Sequence, residues 1–336
     1  MPKKRITLAL QGGGSHGAFT WGALERLLED GRFDIEAISG ASAGAINAAL
    51  LASGHAAAGR DGALNVLSAF WQDLACAAPM GTRLPGDSPA DFRNNPAVDA
   101  LLFFSQFLSP TVTNPLHLDL LRELLAEHID FERLRSRGTQ RLFVSATRVA
   151  TGTARIFSNT ELTLEALLAS ACLPALHHPV HIEGEAYWDG GLTANPPLRP
   201  LFYQCEARDM VIVAVNPRRR DDAPATARDI RDRLSEISFN AAIASELQGI
   251  ALAKSEVKRA TLPLGRLDRR LNNLNLHMIE ADEFMRRLDI ASRLNTDARF
   301  IQALRDEGRH CVDTWLDRNF RHIGARSSLA LAEHLP

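Results

Sequence analysis

Two strand–turn–helix units follow one another at the start of the chain and limit the folds that it can adopt. Ile6–Gln11 is a short apolar run that ends at glycines, and Gly17–Glu29 then has the periodicity of a helix. Phe33–Ser39 and Ser42–Ala52 repeat this order of strand and helix. Successive units of this kind predict an α/β fold, with a mainly parallel central sheet between layers of helices.

The pattern changes beyond residue 216. Two long stretches there, Ala227–Lys258 and Thr296–Phe320, have the pattern of amphipathic helices, and Leu274–Glu280 reads as one late strand. We therefore predict one α/β domain over residues 5–216 and a largely helical C-terminal extension over residues 217–336. The late strand leaves open whether the extension packs on the same core.

Composition narrows the class of protein. Of the 336 residues, 46% are hydrophobic, and 38 Lys and Arg stand against 40 Asp and Glu, for a net charge of −2. A charge so close to zero argues against broad nucleic-acid binding. No apolar stretch has the length of a membrane span. The four cysteines form no CxxC pair, so we expect reduced thiols, no metal centre and a cytoplasmic location.

A glycine cluster, Gly12-Gly13-Gly14-Ser15-His16-Gly17, lies between the first predicted strand and helix and has three interpretations. It can be a tight turn that needs positive φ angles. It also matches GxGxxG, followed by Asp34 or Glu36 at a suitable distance, which is typical of dinucleotide binding in an oxidoreductase. Alternatively, backbone N–H groups at the start of a helix can form an oxyanion hole, provided that a nucleophile lies nearby.

A nucleophile candidate follows directly. Gly40-Ala41-Ser42-Ala43-Gly44 is a GxSxG between a predicted strand and a predicted helix, which is the setting of a nucleophile elbow. The structural alternative is that Ser42 only caps the helix. The glycine cluster one unit earlier favours the catalytic interpretation.

Ser42 needs a base, and two residues compete for that role. Asp189-Gly190-Gly191 ends a predicted strand, and its glycines would allow close approach of a ligand. A carboxylate can act as base if burial raises its pKa. His277 would complete the order Ser, Asp, His, but no motif surrounds it, and we favour a packed histidine there.

These elements, in this order, resemble the patatin-like phospholipase family. Ala169-Ser170-Ala171-Cys172-Leu173-Pro174 and Asn195-Pro196-Pro197 also resemble the family's segments on either side of Asp-Gly-Gly. The resemblance covers about Ile6–Val215. It implies a three-layer α/β/α fold and hydrolysis of lipid acyl esters, of phospholipase A or lysophospholipase type, without a cofactor.

By that resemblance, Ser42 and Asp189 form a catalytic dyad that works through an acyl-enzyme. The glycine cluster, with its N–H groups, would hold the oxyanion. One residue departs from the family, which usually carries Arg or Lys where this chain has His16. We therefore expect a charge near the oxyanion that titrates close to neutral pH. The alternative from another class is a non-catalytic lipid-binding or scaffolding protein of the same fold.

A lipid or membrane surface is the partner that this function implies. Val98–Leu108, inside a proline-rich stretch, is the candidate for peripheral docking, because Phe103, Phe104 and Phe107 would share one helix face. The alternative, that these rings cover the protein's own core, is slightly favoured.

Overall fold

The computed structural model describes residues 2–77, 117–136, 138–174, 176–221, 223–259 and 265–331. Their centre is one sheet of eight strands. The strands are β1 Lys4–Leu10, β2 Phe33–Ala41, β3 Arg141–Arg148, β4 Ala154–Ser158, β5 Val180–Ile182, β6 Glu185–Asp189, β7 Asp209–Ala214 and β8 Asn275–Glu280. Val98–Leu108 lies outside the described residues, so its docking role stays a prediction.

Ten α-helices accompany the sheet within the described residues. They are α1 Gly17–Asp30, α2 Ala43–Cys76, α3 His117–His128, α4 Phe131–Arg135, α5 Leu164–Ser170, α6 Arg199–Gln204, α7 Ala227–Arg259, α8 Arg266–Asn273, α9 Asp282–Met285 and α10 Ala298–Asn319. Short 3-10 helices cover Gly14–His16, Asn159–Glu161, Gly190–Leu192, Ile290–Leu294 and Phe320–His322. None of these helices is long and apolar enough to cross a bilayer.

The central strands of the sheet are parallel. Its order is β5-β6-β3-β2-β1-β7-β8, with β4 on β3. Strands β3, β2, β1, β7 and β8 are parallel, and β4, β5 and β6 add antiparallel pairs at one side. The predicted mainly parallel α/β sheet is confirmed.

Alternating side chains of β1 explain the layers. Ile6, Leu8 and Leu10 belong to the larger buried cluster, together with residues of α1, α2 and α10. Ala9 points to a second cluster, formed with residues of α6 and α7 such as Leu247. Successive side chains of a strand face opposite ways, so one sheet carries both helical layers. The result is the expected α/β/α arrangement.

The region after residue 216 contributes to this same core. Strand β8 pairs in parallel with β7, and α10 packs along α1. The backbones of these helices approach closely at two glycines, since a Cβ at Gly22 or Gly308 would collide with the opposing chain. Glu25 of α1 accepts hydrogen bonds from Arg305 and Arg309 of α10. The predicted boundary thus falls between two neighbouring strands of one sheet.

Two local features differ from the sequence prediction. Helix α2 runs from Ala43 to Cys76 as two helical parts, with non-helical backbone only at Ala58 and Gly59, whereas the helix predicted from Ser42 ends at Ala52. Strand β5 was not predicted at all. It pairs with β6 through a two-residue turn at Glu183 and Gly184, both of which have positive φ angles.

Candidate active site

Ser42 stands in a strained turn between β2 and α2. Its φ of 52° and ψ of −127° are rare for a residue with a side chain. The turn is possible because its flanks are glycines: a Cβ at Gly40 would meet the backbone of Gly44, and a Cβ at Gly44 would meet the carbonyls of Leu10 and Gln11. The Ser42 N–H donates to the Ser170 hydroxyl at 2.9 Å. Strain of this kind is typical of a nucleophile elbow.

Strand register brings Asp189 to the same point. Strand β2 ends with Ala41 opposite Ser145 of β3, and β6 ends with Asp189 opposite Ala146. Ser145 and Ala146 are adjacent, so the ends of β2 and β6 meet along β3. Ser42 follows directly after the first of these ends, which places its side chain beside the Asp189 carboxylate.

Backbone and side-chain contacts fix the position of Asp189. Its N–H donates to the Cys172 carbonyl at 2.8 Å, and its carbonyl accepts from the Thr147 hydroxyl at 2.8 Å. A Cβ at the following residue, Gly190, would collide with Ser145, so glycine is required for this packing. The aspartate is therefore held by two separate segments of the chain, β3 and the segment around Cys172.

The Asp189 carboxyl group is completely buried and has one free oxygen. Oδ1 accepts from the Gly191 N–H at 2.6 Å, whereas Oδ2 has no hydrogen bond of standard geometry among the described residues. Burial raises the pKa of Asp189 to about 7, against the opposing effects of the Gly191 N–H, the Ser42 side chain and the charge of Arg293. A carboxylate with this pKa is suited to accept a proton near neutral pH.

The glycine cluster lies against the elbow. A Cβ at Gly12 would collide with Ala41 and Ser42, and a Cβ at Gly17 would collide with Ala43. The Gly12 N–H is already engaged, because it donates to Asn195 Oδ1 at 2.7 Å. Gly14 begins the 3-10 helix that leads into α1, and Gly13 is the N-cap residue directly before it. The first N–H groups of such a helix have no partner within it.

His16 differs from expectation. Its ring is buried, and Nε2 lies 2.7 Å from the Ser292 hydroxyl. Burial, aided by the charge of Arg293, lowers the pKa of His16 to about 3. The prediction of a charge at His16 that titrates near neutral pH is therefore wrong, since this imidazole stays neutral. The sequence could not show this, because the residues that bury His16 lie in the C-terminal region.

His277 has structural contacts away from the elbow. Its Nε2 lies 3.0 Å from Asp209 Oδ1, and its Nδ1 lies 2.9 Å from the Ser328 hydroxyl. Asp209 is the first residue of β7, at the edge where the parallel strands begin, whereas Ser42 follows the end of β2. The histidine is completely buried, as expected for a packed residue.

Sequence reasoning missed three residues around the site. Asn216 binds the glycine cluster through Gly12, whose carbonyl accepts from its Nδ2 at 3.0 Å. Phe239 of α7 packs against Gly191, and Arg293 donates to Asn216. None belongs to a motif, and two come from the helical extension, so only the fold reveals their position.

Comparison with known protein families identifies the family of this chain. The family model for patatin-like phospholipase matches residues 8–202. The chain belongs to the patatin-like phospholipase family. This membership supports lipid hydrolysis as its general function and leaves the dinucleotide-binding interpretation of the glycine cluster without support.

Two solved structures can be set beside this patatin-like chain. The crystal structure of VipD from Legionella pneumophila has a TM-score of 0.41 and 17% sequence identity, over 93% of this chain and 67% of that chain. The crystal structure of the type III effector protein ExoU has a TM-score of 0.34 and 18% identity, over 95% of this chain and 53% of that chain. No match was found among the curated proteins.

Proposed function

We propose that this chain is a serine lipid acyl hydrolase of phospholipase A or lysophospholipase type, with Ser42 as nucleophile and Asp189 as base. The observation that carries the proposal is the meeting of the strained Ser42 with a buried carboxylate whose pKa is about 7. A serine hydroxyl attacks an ester only when a base removes its proton, and Asp189 Oδ2 is free to accept it.

The reaction proceeds in two steps through an acyl-enzyme. Ser42 Oγ attacks the ester carbonyl while Asp189 takes its proton, and the alcohol leaves with that proton. Asp189 then takes a proton from water, which attacks the acyl-enzyme and releases the fatty acid, and Asp189 returns this proton to Ser42 Oγ. In both steps the same carboxylate accepts a proton and gives it back, so the scheme needs no histidine.

We assign the oxyanion hole to the start of the 3-10 helix Gly14–His16. Because the Gly12 N–H is bonded to Asn195, we assign the oxyanion donors to Gly13 and Gly14. Backbone N–H groups at a helix start favour negative charge without a side chain. Gly17, Gly40 and Gly44 then serve the packing of the elbow, and the neutral His16 adds no charge.

We further propose that the enzyme acts in a reducing, cytoplasmic compartment on lipid at a membrane surface. All four cysteines are free thiols, which supports a reducing environment. The docking segment proposed for that surface is Val98–Leu108.

Active-site labelling tests this function against the non-catalytic alternative. A fluorophosphonate should label the wild type, and Ser42→Ala should lose both the label and the release of fatty acid from phosphatidylcholine vesicles, by several orders of magnitude in kcat. The matched control is Ser328→Ala, because Ser328 is the serine beside the His277–Asp209 pair. If Ser328→Ala loses the label while Ser42→Ala keeps it, the dyad is wrong. If the wild type neither labels nor releases fatty acid, the protein is a binding module.

A further inference from the structure

The positive charge at this site comes from outside the glycine cluster. The segment Gly12–Gly17 contains no Lys or Arg, and its His16 is neutral. Arg293, on the 3-10 helix Ile290–Leu294, instead extends to the site from the C-terminal region. Part of this residue reaches the surface, but its Nε is buried and has no hydrogen-bond partner among the described residues.

Arg293 contacts the glycine cluster in two ways. Its Nη2 donates to Asn216 Oδ1 at 2.6 Å, and Asn216 in turn donates to the Gly12 carbonyl at 3.0 Å. Its own carbonyl lies so close to Gly14 that a Cβ there would collide with it. The position of the guanidinium is thus fixed relative to the segment assigned to hold the oxyanion.

A third contact leads to the base. The guanidinium carbon lies 5.1 Å from the centroid of the Phe239 ring, and the edge of that ring packs against Gly191. Gly191 is the residue whose N–H binds Asp189 Oδ1. Arg293 and the Asp-Gly-Gly turn therefore contact the same aromatic ring. A cation on an aromatic face keeps its charge at lower cost in desolvation than one in an aliphatic pocket.

We propose that Arg293 is a positioning residue of the active site, whose fixed positive charge acts on the reaction electrostatically through Asp189. This inference rests on the proposed Ser42–Asp189 dyad. A guanidinium is suited to the role because it keeps its proton even where burial and nearby groups disfavour the charge.

The charges around both groups agree with this role. Burial lowers the pKa of Arg293 to about 10, against the charges of Glu236, Asp232 and Asp189, so it stays protonated at neutral pH. Glu236 also accepts from Arg220 and Arg233. Near Asp189, the Cys172 thiol is neutral, because burial raises its pKa to about 12. Arg293 is the cation whose charge acts on Asp189 among the described residues.

The test is the pH dependence of kcat/KM with a soluble p-nitrophenyl ester. The acid limb of this profile reports the pKa of the catalytic base in the free enzyme. Arg293→Gln removes the charge but keeps an amide that can donate to Asn216, and Arg293→Lys is the matched control that keeps a charge. We expect Arg293→Gln to move the acid limb to higher pH by about 0.5–1 pH unit, because an opposite charge favours the ionised carboxylate. Arg293→Lys should retain the limb of the wild type.

If folded Arg293→Gln has its acid limb at the same pH as the wild type, the proposal is overturned, whatever the change in thermal stability. If Arg293→Gln does not fold, Asn216→Ser releases the guanidinium at Nη2 and should move the limb in the same direction by less. An unmoved limb in folded Asn216→Ser would then overturn it. A failure of the dyad is distinguishable, because an inactive and unlabelled wild type refutes the proposed function itself, whereas an active wild type leaves only Arg293 in question.

Discussion

At the residue scale, Asp189 is held in an environment that disfavours its charge, and this property links the stability of the fold to the proposed catalytic role of Asp189. The carboxyl group is completely buried, and its pKa is raised to about 7, chiefly by that burial. The folded state thus binds a proton more tightly than the unfolded chain does. A base that costs the fold free energy at neutral pH is expected where its proton affinity is needed for the reaction.

Asp189→Asn should therefore inactivate the enzyme and stabilise it at alkaline pH. As pH rises from about 4 to 7, the unfolded aspartate releases its proton first, so the wild type loses stability across this window. The loss is on the order of 1.4 kcal/mol for each pH unit between the two pKa values. Asparagine does not titrate, so the variant should be more stable above pH 7, and kcat should fall by about 10²–10⁴.

Urea unfolding at several pH values checks this linkage, with kcat measured on the same samples. The difference in the free energy of unfolding between variant and wild type should grow from pH 4 to pH 7 and stay constant above it. Parallel stability curves would mean that Asp189 titrates as an ordinary carboxyl group, and the raised pKa would be refuted.

His277→Ala should have the opposite pattern, with lost stability and retained activity. The imidazole binds Asp209 and Ser328, so its removal leaves buried partners unsatisfied at a cost of about 1–3 kcal/mol. These contacts lie at the edge opposite the elbow, so kcat per folded molecule should stay within a factor of about two of wild type. Thermal melts and assays well below the Tm measure both. An inactive but folded His277→Ala would move the base to this histidine.

Among single residues, those in local motifs could be predicted and those in tertiary contacts could not. Ser42 and Asp189 could be singled out as candidates because a strained elbow needs small neighbours and Asp-Gly-Gly ends a strand, and their catalytic roles stay predictions. The neutral state of His16 depends on burial beside Ser292 and Arg293, which lie far away in the sequence. Periodicity and spacing contain no information about such a distant contact.

At the element scale, the site exists because two strands that run in opposite directions end together. Parallel β2 and antiparallel β6 both pair with β3 and stop at its adjacent residues Ser145 and Ala146. The sequence predicted β2 and the end of β6, since each is an apolar run that stops at glycines. It did not predict that β6 would run antiparallel, because the short strand β5 and its two-residue turn have no strong hydrophobic pattern.

The contact between α1 and α10 is the second decisive pairing, and Gly308→Ala tests it. A Cβ at Gly308 would collide with the Phe19 carbonyl, so alanine should destabilise the fold by about 1–3 kcal/mol, although it favours helices. Gly249→Ala in α7 is the matched control, because a Cβ there meets nothing and should stabilise by up to about 1 kcal/mol. Denaturant unfolding of both variants gives the comparison. If both substitutions changed the free energy of unfolding equally, α1 and α10 would be able to move apart without cost.

At the scale of the whole molecule, the helical extension completes both the core and the site. Strand β8 covers the edge of β7, and α10 covers α1. Phe239 and Arg293 from the same region reach the Asp-Gly-Gly turn and the glycine cluster. The motifs of the family all lie before residue 216, so they cannot indicate how much of the active site's surroundings comes later in the chain.

The last prediction concerns a chain that ends at Asn216. It keeps Ser42 and Asp189 but removes β8 and α10, so the edge of β7 and the buried face of α1 become exposed to water. Such exposed edges and apolar surfaces promote aggregation. We expect this fragment to be insoluble or unlabelled by a fluorophosphonate, as measured by size-exclusion chromatography and labelling. The control ends at Leu331 and should fold and label normally, because it keeps every contact described above. A soluble, labelled fragment would instead establish residues 5–216 as an independent catalytic domain, with the charge of Arg293 unnecessary for activating Ser42.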